Sequence, residues 1–231
     1  MRSGSTPPQP ARMPDTLPTG PRQVIWDWNG TLLDDAQLSL EVADGMRRRR
    51  GMEPMGTLAV YRRLFFFPIY ESYLAMGYTF TDETYEEVAA EYHAAYNARV
   101  QDCPIYREAP AVLAAIREKG IRQAIVSASR QDRLNEQVTH AGIAGYFDGL
   151  YGLGDELAAS KQAIAERLVA SLPYAREEIL FVGDSTHDAA IAKALGCPCV
   201  LLTTGHQDVE ALSPCGVPLI ASLEELLPLL G

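Results

Sequence analysis

The chain has 231 residues, of which 47% are hydrophobic, and this is enough to bury one domain core and a sizeable insertion. Its formal net charge of −10 argues against nucleic acid or anionic membranes as general partners, because the long-range field repels polyanions. The four cysteines lack the paired spacing of a metal site. We therefore expect reduced thiols in a cytoplasmic protein.

The first 21 residues are rich in proline, serine, threonine and glycine, and they contain no apolar stretch of signal-peptide length. This composition predicts a disordered leader. Nowhere in the sequence is an apolar run long enough to cross a bilayer, so we predict no membrane partner.

From Arg22 onward, short apolar runs alternate with helical periodicity. The predicted elements, in chain order, are strand 23–28, helical patterns over 36–103, helix 109–120, strand 121–129, helices 130–142 and 161–172, strand 178–185, helix 188–196, strand 198–204, and a short helix 222–231 that opens with a capping box of Ser222 and Glu225. Such alternation is typical of a parallel sheet covered by helices on both faces. The predicted fold is an α/β, doubly wound, Rossmann-like core.

Segment 36–103 contains helical patterns and no convincing strand. It predicts an all-helical cap inserted directly after the first strand, so that residues 22–35 and 104–231 together form the α/β core. Ligands of open α/β sheets bind outside the carboxyl ends of the strands. An insertion that leaves from this edge is expected to lie over the site and to act as a lid.

Chemically active side chains follow the predicted strands. Asp27 lies at the carboxyl end of the first strand and Ser127 at the end of the second, Asp184 and Asp188 come after "ILFVG" in a later one, and Lys161 opens a helix between them. A strand-end Asp on its own is as often a cap or a turn residue. Four loops that bring carboxylates, a hydroxyl and an ammonium to one sheet edge predict a functional site.

These motifs carry a resemblance to a known family. The sequence "DWNGT" resembles the DxDxT signature of the haloacid dehalogenase-like hydrolases, and Ser127, Lys161 and "GDSTHD" look like that family's second, third and fourth motifs, in the same order. The helical insertion is similar to the small cap of the phosphoglycolate phosphatase-like branch. The resemblance extends from Arg22 to the C-terminus and implies a phosphatase that acts on a small phosphorylated metabolite.

Residue chemistry agrees with this resemblance. Asp27 is the expected nucleophile, because a carboxylate splits hydrolysis into formation and hydrolysis of an aspartyl-phosphate. Mg²⁺ is the expected cofactor, held by Asp27, Asp184 and, as the family implies, the main-chain carbonyl of Asn29, with Asp188 close by. Lys161 is expected to offset the charge of the nucleophile and of the phosphoryl oxygens.

Phosphate oxygens are expected to be held by the Ser127 hydroxyl and by the loops after the first and second strands. Gly30 permits a tight turn there, and the resemblance implies that Thr31 helps to order the first loop. The candidate phosphate-binding residues are Trp28, Gly30, Thr31, Ala128 and Ser129.

Asn29 departs from the family pattern, which has at this place an Asp that protonates the leaving oxygen and then activates water. An amide can do neither. Three outcomes stay open: substrates with an acidic leaving group, such as acyl or aryl phosphates; another proton donor, such as His187 or a cap residue; or a slow, vestigial phosphatase. Deamidation of Asn29 to Asp is a minor hypothesis.

Other activities are alternatives. A 2-haloacid dehalogenase would need no metal, whereas Asp184 and Asp188 are both present. A weakened phosphate-binding or partner-binding module is supported by Asn29, but such a module has no physical need for the charges of Asp27 and Lys161. Phosphonate hydrolysis needs a cap lysine, and the predicted cap has none.

Two further segments and one histidine bear on the site. Segment 62–73 either lines the substrate face of the cap or forms its packing. The aromatic residues of segment 85–96 recur at helical spacing and predict a core stripe. His206 lies in the loop after the last strong strand, near the expected mouth of the site.

Overall fold

The computed structural model describes residues 20–154 and 160–231, so the leader predicted over 1–21 lies outside the described residues except for its last two. Within the described ranges, a six-stranded parallel sheet has the strand order β3-β2-β1-β4-β5-β6. Its strands are β1 (Gln23–Trp26), β2 (Arg122–Arg130), β3 (Gly149–Leu153), β4 (Ile179–Gly183), β5 (Cys199–Leu202) and β6 (Leu219–Ile220).

Helices cover both faces of this sheet. They are α1 (Ala36–Arg49), α2 (Leu58–Leu64), α3 (Ile69–Ala75), α4 (Tyr85–Asn97), α5 (Ala109–Glu118), α6 (Gln131–His140), α7 (Lys161–Ser171), α8 (Thr186–Leu195) and α9 (Val209–Leu212), with 3-10 turns at 100–102, 144–146, 176–178, 213–215 and 223–230. The predicted α/β, doubly wound fold is confirmed.

Alternation along β1 explains the two layers. Val24 and Trp26 pack with α5, α6 and the last 3-10 helix, while Ile25 packs with α7 and α8 on the opposite face. Successive strand side chains point to opposite faces of a sheet. Because both faces are covered, the strand is apolar at consecutive positions.

The sheet has its topological switch point at β1. The chain runs outward from β1 through β2 to β3, and then returns to form β4 on the other side of β1. Loops from the carboxyl ends of β1 and β4 therefore diverge and leave a crevice, which is where open α/β sheets bind ligands.

Strand boundaries differ from the predicted ones at several places. The first strand ends at Trp26 instead of residue 28, and β2 continues to Arg130 through a register irregularity after Val126. Strands β3 and β6 were not predicted. The sequence of β3, "GLYGL", has two glycines, which are rare in strands, and β6 has only two residues.

The last predicted helix also differs. Residues 223–230 form a 3-10 helix with Pro228 inside it. The expected capping box is wrong, because the Ser222 hydroxyl accepts from the Glu224 N–H and the Glu225 carboxylate accepts from the Ala221 N–H. The tighter 3-10 turn brings the second N–H of the helix, not the third, to the cap.

Residues 36–103 form four α-helices, α1 to α4, and one 3-10 turn, and they contain no strand. Helix α1 packs against α4. Arg50 at the end of α1 pairs with Glu83 and Glu91, each at 2.5 Å, and so joins α1 to α4 and to the residues just before α4. In the described part of the chain, no helix combines the length and the apolarity that a membrane crossing requires.

Candidate active site

Three carboxylates meet at the switch point. Asp27 follows β1, Asp184 follows β4, and Asp188 lies in the first turn of α8. One ligand atom from each lies within 4.8 Å of the others. The Asp27 N–H donates to the Val182 carbonyl at 2.8 Å, which continues the β1–β4 register and fixes the approach of the two loops.

Lys161 is the cation of this cluster. Ser160 caps α7, so that Lys161 is its first residue, and the Nζ atom lies 2.5 Å from Oδ1 of Asp27 and 2.5 Å from Oδ1 of Asp188. The side chains of all three residues are at most 11% exposed. Charge pairs this deeply buried interact more strongly than surface pairs, because water screens them less.

Asp188 also belongs to the capping box of its own helix, in which Ser185 is the N-cap. Its Oδ2 atom accepts from the Ser185 hydroxyl at 2.6 Å and from the Ser185 N–H at 3.1 Å, while the Ser185 hydroxyl accepts from the Asp188 N–H. Both carboxylate oxygens of Asp188 are therefore engaged within the protein. Among the described residues, Asp188 accepts four hydrogen bonds, Asp184 two and Asp27 one, so Asp27 and Asp184 have more capacity to hold a cation directly.

The cluster has a deficit of positive charge. Three carboxylates and one ammonium sum to a formal charge of −2. Burial raises the pKa of Asp27 to about 7 and that of Asp184 to about 6, and repulsion from Asp188 adds to both shifts. Burial also disfavours ionisation of Asp188, but Lys161 and the Ser185 hydroxyl lower its pKa. A hard divalent cation with oxygen ligands fits this donor set and this charge.

The turn after Asp27 needs a glycine. Gly30 has a φ of 74°, and a Cβ atom there would lie 2.3 Å from Oδ2 of Asp184 and 2.5 Å from Cδ2 of His206. The Thr31 hydroxyl donates to Oδ1 of Asp184 at 3.3 Å. The first loop therefore packs directly against the fourth-motif carboxylate, as only a residue without a side chain allows.

Gly30→Ala should lower the free energy of unfolding by about 1–3 kcal/mol, because the added methyl group meets Asp184 and the backbone is left-handed. Urea unfolding monitored by circular dichroism measures this. Gly145→Ala is the matched control, since the described atoms leave space around its Cβ and its φ is not positive. Equal losses in both variants would contradict the close packing at Gly30.

Asn29 is held by a network of side chains. Its Nδ2 donates to Oδ2 of Asp35 at 3.1 Å and to the Tyr96 hydroxyl at 2.7 Å, and its Oδ1 accepts from the Ser129 hydroxyl at 2.8 Å. The Tyr96 hydroxyl donates in turn to Asp35. Tyr96 belongs to the predicted core stripe. It is buried as expected, but its hydroxyl also reaches the candidate active site.

Asp35 and His206 form a buried ion pair that was not predicted. Nε2 of the His206 ring lies 3.2 Å from Oδ1 of Asp35, and Nδ1 of the same ring lies 2.8 Å from the Tyr61 hydroxyl. The backbone N–H of His206 donates to Oδ2 of Asp184 at 2.6 Å. Asp35 also accepts from the Gly30 N–H at 2.7 Å. Asp35 precedes α1 but makes no side-chain cap. The sequence shows that residue 35 is an acid, but it does not show that His206 lies beside it.

This pair predicts a loss of stability at alkaline pH. Burial opposes the charge of His206, yet Asp35 raises the pKa of His206 from 6.5 to about 9. Because the pKa of His206 is raised in the folded state, the pair with Asp35 stabilises the folded protein fully below pH 6.5, and this stabilisation is lost as the pH rises through 9. The free energy of unfolding should therefore fall by about 3 kcal/mol over this pH range. Urea unfolding from pH 6 to pH 10 measures it.

His206→Gln is the control for this pH dependence. The variant keeps a hydrogen-bonding side chain but has no titrating group, so it should be less stable than the parent near neutral pH. The difference in unfolding free energy between the parent and the variant should narrow above pH 9. A gap that stays constant with pH would contradict the ion pair.

The candidate phosphate-binding residues lie on the same edge. Ser127 is buried, and its hydroxyl accepts from the Ser129 N–H at 3.0 Å; Ala128 between them is exposed. The Trp28 side chain points into the core and away from the proposed phosphate site, since its indole N–H donates to the buried Gln137 side chain at 2.7 Å. Its contribution to a phosphate site would therefore come from the backbone.

Helix α2 and the segment after it contact the β5 loop. The Arg62 guanidinium donates to the carbonyls of Gly205 and Thr204 at 2.8 and 2.5 Å, and Gln207 donates to the Phe65 carbonyl at 3.1 Å. The ring of Phe67 stacks on that of His187 with centroids 4.8 Å apart. Segment 62–73 therefore contributes both packing and a surface next to the fourth motif.

Comparisons with known proteins agree with this geometry. Phosphoglycolate phosphatase from Yersinia pseudotuberculosis is 31% identical over 134 residues, which cover 57% of this chain and 57% of that protein. The chain thus spans little more than half the length of that relative. Tyrosine-protein kinase PtkA from Mycobacterium tuberculosis is 27% identical over 217 residues, 91% of this chain and 73% of that protein.

Solved structures show the same fold. A haloacid dehalogenase-like hydrolase from Streptococcus pneumoniae has a TM-score of 0.76 at 18% identity, covering 90% of this chain and 97% of that one. The structure of M. tuberculosis PtkA has a TM-score of 0.74 at 24% identity, covering 92% and 99%. The family described as haloacid dehalogenase-like hydrolase matches residues 24–202. With its four motifs gathered at the switch point of the sheet, this chain belongs to the haloacid dehalogenase-like hydrolase family.

Proposed function

We propose that the chain is a Mg²⁺-dependent phosphohydrolase that cleaves a small phosphorylated metabolite in the cytoplasm through an aspartyl-phosphate. The cluster of Asp27, Lys161, Asp184 and Asp188 carries this proposal, because its formal charge of −2 matches a divalent cation and its nucleophile is already paired with an ammonium. The phosphoglycolate phosphatase relatives support the same reaction class.

The roles follow from the contacts. Mg²⁺, when bound by Asp27, Asp184 and the Asn29 carbonyl, would supply the charge that lets a carboxylate approach a phosphate. Asp27 would attack phosphorus. Lys161 holds the nucleophile in place and offsets negative charge on the phosphoryl oxygens, and Asp188 holds Lys161. Ser127 and the backbone of the first two loops would bind the remaining oxygens.

Segment 36–103 would act as a cap that selects the substrate. Its α2 and the segment after it contact the β5 loop through Arg62 and Phe65, and its α4 supplies Tyr96 to the Asn29 network. These contacts support a lid that excludes water when it is closed. We propose core boundaries at 22–35 and 104–231 on this basis.

Phosphoryl transfer to a tyrosine is a second candidate. Asn29 cannot act as the base that activates water, so the aspartyl-phosphate would hydrolyse slowly and would persist for another acceptor. The relative named tyrosine-protein kinase PtkA aligns with 91% of the chain. This observation favours a phosphotransferase over the 2-haloacid dehalogenase alternative.

Phosphate release from 4-nitrophenyl phosphate and from acetyl phosphate, with Mg²⁺ and after chelation, tests the proposal. We expect turnover with Mg²⁺ and a loss of at least about 10²-fold without it, because the carboxylate and phosphate charges would then repel each other. Metal-independent turnover would contradict the cofactor. No turnover of either compound, with metal-dependent binding of vanadate intact, would favour the non-enzymatic binding module.

A further inference from the structure

Asn29 has no hydrogen-bonding group free to serve a leaving oxygen. A side-chain amide has two N–H donors and one carbonyl acceptor. Both donors are used, by Asp35 and Tyr96, and the carbonyl accepts from Ser129. The network therefore holds the side chain in one orientation, and no proton is available there for a departing alkoxide.

Three neighbouring groups are equally unsuited to this task. Both ring nitrogens of His206 are engaged, by Asp35 and Tyr61, and its side chain is 9% exposed. The Tyr96 hydroxyl donates to Asp35. The ring of His187 stacks on that of Phe67, with centroids 4.8 Å apart, so it lies against this aromatic ring and outside the Asn29 network.

A leaving group at this site must therefore depart as an anion. A phenol such as that of tyrosine has a pKa of about 10, whereas an aliphatic alcohol resembles water and is a far weaker acid. A phenolate is thus a far better unprotonated leaving group than an alkoxide. The chemistry of the first loop selects against simple alkyl phosphates.

The surface beside the fourth motif is aromatic. Phe67 is 39% exposed and stacks on His187, and the centroid of the Phe65 ring lies 5.7 Å from that of Phe67 and 5.1 Å from that of His206. Large exposed aromatic rings gain free energy by packing against another ring. An aryl group that leaves the phosphate would meet this surface, whereas an acyl group would gain little from it.

We propose that the substrate is an aryl phosphate, a phosphorylated phenol; the proposal rests on the phosphohydrolase function above. An Asp27 oxygen forms a bond to phosphorus while the phosphorus–oxygen bond to the aryl group breaks. The phenolate leaves with the electron pair and takes its proton from solvent. Water then cleaves the aspartyl-phosphate, which restores the Asp27 carboxylate and releases hydrogen phosphate and a proton.

The test uses the full chain with Mg²⁺ and two series of substrates. The aryl series is 4-nitrophenyl, phenyl and 4-methylphenyl phosphate, and the alkyl series is glycerol 3-phosphate and phosphoglycolate. We expect kcat/KM for phenyl phosphate to exceed that for the alkyl esters by at least about 10²-fold, and to fall steeply as the leaving-group pKa rises. Alkyl esters that are turned over as fast as phenyl phosphate would overturn the proposal.

Asn29→Asp supplies the matched comparison. The introduced carboxyl would lie where the Asn29 amide contacts Asp35, and it would restore a group that can protonate a leaving oxygen. We expect alkyl-ester turnover to rise about 10²-fold and the dependence on leaving-group pKa to flatten. An unchanged dependence in a folded variant would contradict the argument from Asn29. The parent series decides the question if the variant does not fold.

Phe67→Ala tests the aromatic surface. We expect KM for phenyl phosphate to rise about 5- to 10-fold more than KM for acetyl phosphate. Tyr151→Ala, on the exposed surface of β3, is the control and should show no such difference. Equal effects of Phe67→Ala on both substrates would overturn the assignment of the aryl group to this surface.

The outcomes distinguish a failure of the phosphohydrolase function from a failure of the aryl phosphate substrate class. If no ester and no acyl phosphate is turned over, then the phosphohydrolase function itself is wrong. If esters are turned over but the alkyl series is preferred, then only the substrate class is wrong.

Discussion

Asp27→Asn should reduce kcat by at least about 10³-fold on every substrate that the parent hydrolyses, because the amide cannot form the aspartyl-phosphate. The same variant should be at least as stable as the parent in the absence of metal. Burial and the neighbouring carboxylates raise the pKa of Asp27 from 3.8 to about 7, so ionising Asp27 costs folded-state stability, and this cost grows from pH 3.8 and is complete above pH 7. Removing the charge relieves this repulsion.

This combination of lost activity and retained stability is typical of a residue kept for chemistry. Phosphate release and urea unfolding at pH 8 measure the two effects. Asp132→Asn is the matched control, since Asp132 is exposed on α6 and pairs only weakly with Arg130 at the surface. It should change neither property. An Asp27→Asn variant as active as the parent would exclude Asp27 as the nucleophile.

Lys161→Met should have the second-largest effect. Methionine retains an unbranched chain of similar length but leaves Asp27 and Asp188 without their shared cation. We expect kcat to fall by about 10²–10³-fold, because negative charge on the phosphoryl group is no longer offset. We also expect the metal-free protein to lose about 3 kcal/mol of unfolding free energy, because a buried pair has lost one partner.

Added Mg²⁺ should restore much of that stability but little of the activity, since the cation can neutralise the carboxylates without replacing the ammonium. Thermal unfolding with and without Mg²⁺ measures the first effect, and phosphate release the second. Lys193→Met, on the exposed side of α8, should affect neither. If Lys161→Met retained parental turnover, the role of Lys161 would be confined to folding.

The sequence was sufficient to predict the alternation of strands and helices and the edge at which the acids meet. Asp27, Lys161, Asp184 and Asp188 each lie next to a strong local signal, a buried strand or a helix start, so their convergence follows from topology. Strand β3 escaped prediction because two glycines weaken its local pattern, and because its pairing with β2 is a tertiary interaction.

The environment of Asn29 could not be predicted in the same way. The sequence shows that Asn29 stands where the family pattern has an Asp. Its partners Asp35, Tyr96 and Ser129, however, are set by side-chain directions that no local pattern encodes. Tyr96 fits a core stripe by spacing, and only the fold reveals that its hydroxyl faces a polar network. His206 was expected at the mouth, whereas the structure buries it against Asp35.

The span of the Asp35–His206 pair has a consequence for how the protein is made. The two residues are 171 positions apart, so during synthesis the acid exists long before its cation emerges from the ribosome. Contacts this distant form late, because a large loop must close first. Until then Asp35 lacks this counter-ion, and its carboxylate is expected to stay hydrated. The proposed active site therefore cannot form until Lys161, Asp184, Asp188 and His206, all in the last third of the chain, have been synthesised.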